Sequence, residues 1–207
     1  MSKIIKDAMA LTAITLVSGL ALGAVHGITE EPIARQEELA KQEAYQEVFP
    51  DASEFEAVTL DEGLTEQLRA SLDEEGYTAQ SIQEVMEALD GSGEKMGYAF
   101  TVVSSEGYGG DIQFSIGIQN DGTVNGISIL SISETAGLGM KADTEEFKSQ
   151  FAGKQVDAFT YTKNGASADR EIDAISGATI TTNAMTNGVN AGLCAFRVME
   201  GGDGNEG

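Results

Sequence analysis

This sequence has little cysteine, histidine, tryptophan or basic charge. One cysteine, Cys194, excludes an internal disulfide and a cysteine-ligated cluster. Because there is also one histidine, we expect no metal site of the usual nitrogen and sulfur kind. Tryptophan is absent and aromatic residues are 6% of the 207 residues, so the core must come from aliphatic side chains, methionine and phenylalanine. That composition suits one folded domain of ordinary size.

Basic residues are also few. Twelve Lys and Arg stand against 34 Asp and Glu, and the formal net charge is −22. Such a charge repels a phosphate backbone and an anionic lipid surface at long range. We therefore expect no nucleic-acid partner.

What is present near the N-terminus is a run of 18 uncharged residues, Ala8 to Val25. This length is at the short end of what crosses a bilayer. Lysines precede the run and glutamates follow it, which predicts a cytoplasmic N-terminus and an extracytoplasmic remainder. A glycine every fourth residue, at Gly19, Gly23 and Gly27, would let a partner helix pack closely. A cleaved signal peptide fits the same pattern and stays open as the alternative to a retained single-pass anchor, which we favour.

Changes in composition along the chain predict four segments. We predict a cytoplasmic tip and transmembrane anchor over 1–28, a helical stalk and helical part of the ectodomain over 29–92, a main domain over 93–199, and a disordered acidic tail over 200–207. Within the second segment, apolar residues recur at helical spacing around 64–72 and again around 82–89. The spacing predicts two short helices there.

The main domain begins with strand patterns. Apolar and polar residues alternate through DIQFSIGIQ at 111–119, and the following NDG favours a hairpin turn. The returning strand changes parity between Val124 and Ile127, which predicts a bulge at Asn125 and Gly126. Further on, the apolar spacing from Met185 predicts an amphipathic helix that ends near Met199. The fold class is therefore α+β, an antiparallel sheet flanked by helices.

The stretch DAISGATITTNAM, at 173–185, places hydroxyls and a glycine at the start of that last helix. Thr181 or Thr182 would cap it. A helix N-terminus offers unpaired N–H groups and the positive end of the helix dipole, which together favour a phosphate. Gly177 would let an anion approach the backbone, and the Thr179 hydroxyl lies just ahead. From the residues alone, we favour simple capping over a phosphate site.

Several motifs together point to a family. DAISGAT, Asp173 to Thr179, resembles the Asp-x-x-Ser/Thr-Gly-Ala-Thr motif at which a flavin transferase attaches FMN to the last threonine through a phosphoester bond. With GYGGDIQFSIGIQNDGTVNGISIL at 107–130, ETAGLG at 134–139 and FKSQFAGK at 147–154, the chain resembles the G subunit of the Rnf ion-translocating electron-transport complex. That subunit is similar to the C subunit of the sodium-translocating NADH:quinone reductase. The family usually has proline where this chain has Ala136, so this loop loses a φ constraint.

The resemblance implies that 93–199 is an FMN-binding domain with FMN attached covalently to Thr179. The other residues that it implies near the cofactor are Asp173, Ser176, Gly177, Ala178, Thr181, Glu134, Thr135, Gly137, Leu138 and Gly139. Asp173 would organise a divalent cation or the threonine proton during attachment, or only accept backbone N–H groups in a turn. Thr181 would bond the phosphate or only cap the helix, and Glu134 and Thr135 are also ordinary solvated loop residues.

The same resemblance implies an electron carrier without a soluble substrate or catalytic residues of its own. In the family, the complex couples electron transfer between ferredoxin and NAD to sodium or proton translocation. Partners would be the other integral membrane subunits, and a flavin transferase during maturation. Two alternatives are a stand-alone, membrane-anchored, flavinylated extracellular reductase, and a non-catalytic adhesion or solute-binding ectodomain.

Overall fold

The computed structural model describes residues 3–203 of the chain. These form two compact units, which meet in the sequence between Ala40 and Lys41. The predicted domain boundaries at 28 and 92 stay a prediction.

The first unit is the beginning of helix α1, which runs from Lys3 to Val48 without a break. Its large apolar side chains between Ile4 and Ile33 are exposed. The hydroxyls of Thr12 and Thr15 donate to backbone carbonyls four residues earlier, so these polar groups are satisfied inside the helix. Among residues 3–203, α1 is the one helix long and apolar enough to cross a membrane. Pro32 lies inside this continuous helix.

The second unit is built on a five-stranded antiparallel sheet in which the strands follow their chain order. The strands are β1 (Glu54–Ala57), β2 (Gln80–Leu89), β3 (Lys95–Ser104), β4 (Ile112–Gln119) and β5 (Val124–Ser131). The predicted hairpin joins β4 to β5, and Gly122 has the positive φ of +85° that its turn requires. The register shifts at Asn125, between the pairs Gly117–Gly126 and Ile118–Val124, so the predicted bulge is confirmed.

Helices cover both faces of this sheet. Helices α2 (Glu62–Glu74) and α4 (Thr179–Asp203) lie over the larger core, which holds Phe100, Phe114 and Ile116 of the sheet. The end of α1 lies on the opposite face, where Tyr45, Val48 and Phe49 pack against small residues of β2 and β3. A short 3-10 helix (Gly139–Asp143), α3 (Glu145–Lys148) and a parallel pair, β6 (Thr160–Thr162) and β7 (Glu171–Asp173), lie between β5 and α4. The α+β class is confirmed.

Two sequence predictions are corrected here. The apolar pattern at 82–89 is not a helix but lies in β2, so the segment 29–92 contributes two strands to the sheet as well as helices. Glu200 to Asp203 continue α4 beyond Met199, so a disordered tail does not begin at 200. The remainder of that predicted tail, 204–207, lies outside the described residues.

Helix α4 also contains the cysteine of the chain. Cys194 is 1% exposed, and burial, together with the nearby Glu75 carboxylate, raises the pKa of its thiol to about 11. The thiol is therefore neutral at physiological pH and packs as a small apolar side chain.

An ion pair ties the end of α1 to the sheet and to α3. Lys148 Nζ lies 2.9 Å from a Glu47 carboxylate oxygen, and the Ser128 hydroxyl donates to the other oxygen. Burial opposes ionisation of Glu47, but the hydrogen bonds and the Lys148 charge outweigh it and lower the pKa below 4.5. A carboxyl with a lowered pKa stabilises the fold above its unfolded pKa, and this stability is lost as the pH falls through the folded value.

We therefore expect Glu47→Gln to lower the thermal midpoint at neutral pH, by an amount that corresponds to about 1 kcal/mol or less. The difference from the wild-type chain should shrink as the pH falls below 4.5 and disappear below the lowered folded pKa of Glu47, because both chains are then neutral at this position. Thermal unfolding of the full-length chain, followed by circular dichroism across pH, measures it. Glu43→Gln, an exposed change one turn earlier on α1, is the control and should leave the thermal midpoint at neutral pH close to that of the wild-type chain.

Candidate functional site

The candidate site is an open cavity of about 600 Å³ at the start of α4. Three parts of the chain line it: Tyr108 from the segment between β3 and β4, the loop after β5, and the first residues of α4 with the turn before them. The lining residues are Tyr108, Glu134, Thr135, Leu138, Gly139, Gly177, Ala178, Thr179, Ile180 and Thr181.

Thr179 is the first residue of α4, and its side chain is partly exposed at the cavity. Across residues 3–203 its hydroxyl has no hydrogen-bond partner. The first turn of a helix leaves backbone N–H groups without intrahelical partners, and Thr179, Ile180 and Thr181 of this turn line the cavity. Gly177 has a φ of +79°, a conformation that costs other residues energy, and it turns the chain into the helix. The result is a free hydroxyl beside a site that favours an anion.

The predicted helix cap differs in detail. Because α4 begins at Thr179, Thr181 and Thr182 lie inside its first turn and neither precedes it as a cap. The Thr182 hydroxyl accepts the Ile175 N–H at 3.0 Å and donates to the Ala178 carbonyl at 2.9 Å. This side chain therefore fastens the turn before the helix to the helix itself.

The loop after β5 packs closely under the cavity. Glu134 is 9% exposed and its carboxylate accepts the Gly109 N–H at 3.3 Å. A Cβ on Gly139 would lie 2.6 Å from a Glu134 carboxylate oxygen and 2.6 Å from the Thr181 hydroxyl. Only glycine fits there without movement of these side chains. Glu134 is thus a buried residue of the cavity wall and not an ordinary solvated loop residue.

Three of the residues that the resemblance implies do not line this cavity. Asp173 and Ser176 line a second, smaller cavity of about 340 Å³ on the other side of the turn. The Asp173 carboxylate accepts the Ala166 N–H at 2.7 Å, which is the geometry of a turn acceptor. Gly137 has a φ of +76° in its loop and does not line the Thr179 cavity. Within residues 3–203, no group of three or more His, Cys, Asp or Glu side chains is placed to hold a metal ion.

Sequence reasoning missed two residues of the cavity. Tyr108 is 72% exposed and Ile180 is 52% exposed, and with Leu138, 43% exposed, they present apolar surface at the cavity. Ile180 directly follows the motif threonine, and Tyr108 lies in the segment 107–130 that carries part of the resemblance. No residue pattern identifies them, because exposed apolar side chains are common on protein surfaces.

These residues fit the FMN that the resemblance implies. The phosphate needs hydrogen-bond donors, which the start of α4 supplies, and the flavin ring needs apolar and aromatic contact, which Tyr108, Leu138 and Ile180 offer. The volume lies in the usual range for cofactor sites. The close approach at Gly139 and the positive φ of Gly177 shape the walls around that space.

Helix α4 lies on an antiparallel sheet, and its first residue, Thr179, lines the cavity. This arrangement is that of an FMN-binding domain. The model of the FMN-binding domain family matches residues 107–193, and that of the RnfG N-terminal region matches residues 1–48. The chain belongs to the family of G subunits of the Rnf ion-translocating oxidoreductase complexes.

Curated relatives match over nearly the whole chain. The G subunit of the Na(+)-translocating ferredoxin:NAD(+) oxidoreductase complex of Acetobacterium woodii is 32% identical over 94% of this chain and 92% of the relative. The G subunit of the proton-translocating ferredoxin:NAD(+) oxidoreductase complex of Clostridium ljungdahlii is 30% identical over 93% and 91%. The crystal structure of NqrC from Shewanella oneidensis has the same fold, with a TM-score of 0.50 and 20% identity over 57% of this chain and 59% of that one.

Proposed function

We propose that this chain is the electron-carrier subunit of a membrane complex that couples electron transfer between ferredoxin and NAD to sodium or proton translocation. FMN is attached covalently through Thr179. The observation that supports this most directly is the position of the Thr179 hydroxyl, unpartnered among residues 3–203, at the start of α4 and at the mouth of the cavity. The names of the two relatives support the ferredoxin and NAD couple, and they differ on the ion.

Attachment needs a nucleophile, and the chain supplies the Thr179 oxygen. In the proposed maturation, a flavin transferase uses FAD: the Thr179 oxygen forms a new bond to the FMN phosphorus, the bond to AMP breaks, and the threonine proton leaves. FMN, once bound, supplies one- and two-electron redox chemistry. The start of α4 would hold the phosphate, and the apolar side chains of Tyr108, Leu138 and Ile180 at the cavity would contact the flavin ring.

The first helix suits a membrane-bound carrier. Its apolar side chains are exposed, and glycines at Gly19, Gly23 and Gly27 have open space beside them for another helix. We propose that α1 is retained as a single-pass anchor, with the N-terminus in the cytoplasm and the flavin domain on the extracytoplasmic side. The other integral membrane subunits of the complex are then its partners.

Deletion and complementation test this function. Membranes from a strain that lacks the chain should lose NAD reduction by reduced ferredoxin and the ion uptake coupled to it, and the wild-type chain should restore both. Copurification of the tagged chain with other integral membrane subunits is expected as well. Full activity in the deletion strain, or purification of a flavin-bearing chain without any membrane partner, would instead support the stand-alone reductase.

A further inference from the structure

A glutamate two residues before Tyr108 accepts hydrogen bonds from several side-chain amides. Glu106 is the second residue of the segment that leads from β3 to Tyr108, and it is only partly exposed. One of its carboxylate oxygens accepts three side-chain amides: Gln80 at 2.8 Å, Asn187 at 2.7 Å and Asn183 at 3.5 Å. Gln80 also donates to the Ser104 hydroxyl at 3.1 Å, so the cluster joins β2 and β3 to α4.

Two of these amides lie on the helix that begins with Thr179. Thr179, Asn183 and Asn187 follow one another at intervals of four residues, so they share one face of α4. Glu106 therefore connects the Tyr108 segment to the same helix face that presents the attachment hydroxyl. The carboxylate carries charge, and hydrogen bonds to charged groups are among the stronger ones in proteins.

The other side of this segment is held by close packing. A Cβ on Gly109 would lie 2.0 Å from the Ser133 carbonyl oxygen, and one on Gly107 would lie 2.2 Å from the Gly110 carbonyl oxygen. The Gly109 N–H also donates to Glu134. The segment is thus fixed to the loop after β5 through Gly109 and to α4 through Glu106, with Tyr108 between these two attachments.

We propose that Glu106 is a positioning residue of the flavin site. By accepting the amides of Gln80, Asn183 and Asn187, it holds the Tyr108 ring against the cavity, where the ring contacts the flavin. This inference rests on the proposed function, because it takes FMN to occupy the Thr179 cavity. Glu106 itself acts through Tyr108.

The arrangement of the three amides provides a matched pair of variants. All three donate to one oxygen, so the carbonyl oxygen of glutamine can accept them, whereas alanine leaves all three without this partner. Glu106→Gln thus keeps the oxygen that accepts the hydrogen bonds and removes the negative charge, whereas Glu106→Ala removes both the acceptor and the charge. Glu66→Ala, an exposed change on α2, is the control for loss of a glutamate.

The readout is the fluorescence yield for each attached flavin, measured on the full chain in detergent after coexpression with a flavin transferase. A tyrosine in contact with a flavin quenches its emission by electron transfer, and the chain has no tryptophan to do so instead. We expect Tyr108→Ala and Glu106→Ala each to raise the yield several-fold, and Glu106→Gln and Glu66→Ala to keep the wild-type yield. The double variant Glu106→Ala with Tyr108→Ala should be no brighter than Tyr108→Ala alone.

A second variant and a measurement without flavin distinguish the proposed effect from general misfolding of the Glu106→Ala chain. Asn187→Ala removes the shorter hydrogen bond from α4 and should raise the yield in the same direction. In the flavin-free Thr179→Ala chain, hydrogen exchange over residues 106–110 should be faster with Glu106→Ala than with Glu106→Gln. Two results would overturn this proposal in chains that intact mass shows to carry FMN. One is a wild-type fluorescence yield in Glu106→Ala together with hydrogen exchange equal to that of Glu106→Gln. The other is an unchanged fluorescence yield in Tyr108→Ala. A wild-type chain without FMN would overturn the proposed function itself, and this proposal with it.

Discussion

The Thr179→Ala chain is expected to carry no covalent flavin when it is coexpressed with a flavin transferase. The wild-type chain should gain the mass of one FMN less one water, because the phosphoester bond forms at the threonine oxygen. The alanine variant lacks the hydroxyl of the first residue of α4, and the neighbouring Thr181, a residue that is 1% exposed, cannot replace it. Intact-mass spectrometry of the denatured chain, with flavin fluorescence in a denaturing gel, measures this loss.

Two substitutions serve as controls for that experiment. Thr179→Ser keeps a hydroxyl at the same backbone position and should retain at least part of the adduct. Thr181→Ala changes a buried threonine of the same cavity and should still be flavinylated. A full FMN adduct on Thr179→Ala would show that attachment occurs elsewhere and would refute the assignment.

Gly117→Ala should destabilise the fold by about 1–3 kcal/mol, because it inserts a methyl group into a packed contact. Gly117 lies on β4 beneath the end of α1, where a Cβ would be 2.8 Å from the Val48 carbonyl oxygen and 2.9 Å from the Val48 Cβ. The neighbouring backbone would have to move. For a domain of this size, such a loss lowers the thermal midpoint by several degrees.

The matching control is on the next strand. Gly126 is the cross-strand partner of Gly117 in β5, yet a Cβ there meets nothing within 4 Å. Gly126→Ala should therefore leave the thermal midpoint unchanged or raise it slightly. Thermal unfolding of both full-length variants in detergent, followed by circular dichroism, gives the comparison. Equal midpoints in the two variants would show that the end of α1 does not pack on the sheet as described.

The hydrophobic pattern of the sequence predicts the secondary structure and the buried side chains correctly where a strand or helix buries only one face. The side chains of Ile112, Phe114, Ile116 and Ile118 all point into the core, as strict alternation predicts. The pattern failed for β2 because both faces of that strand are covered. Its register shifts between Ile82 and Glu84, so Ile82 and Val85 contact the same core although they are three residues apart. Met86 packs on the opposite face of the sheet. Val85 and Met86 therefore follow Ile82 by three and four positions, which is also the spacing of an amphipathic helix.

The candidate site shows a similar limit. The residues from Gly177 to Thr181 are contiguous in sequence, and the structure brings them to one cavity. Tyr108 comes from a segment 71 positions before Thr179, and only the tertiary fold brings both to the cavity. Conversely, Asp173 and Ser176 belong to the motif but line the second cavity, because the chain turns at Gly177. Proximity in a motif is therefore an incomplete guide to proximity in space.

The double hydrogen bond of Thr182 has a consequence for how a tethered cofactor moves. It fixes the backbone on both sides of Thr179, between Ile175 and the first turn of α4. With FMN on Thr179, the bonds free to rotate are those of the threonine side chain, the phosphate and the ribityl chain. The distance that the flavin ring could move from the fixed Thr179 backbone would then be limited by the length of the phosphate and ribityl chain. For a flavin held in this way, a more distant donor or acceptor would exchange electrons only after it and the domain had come closer together.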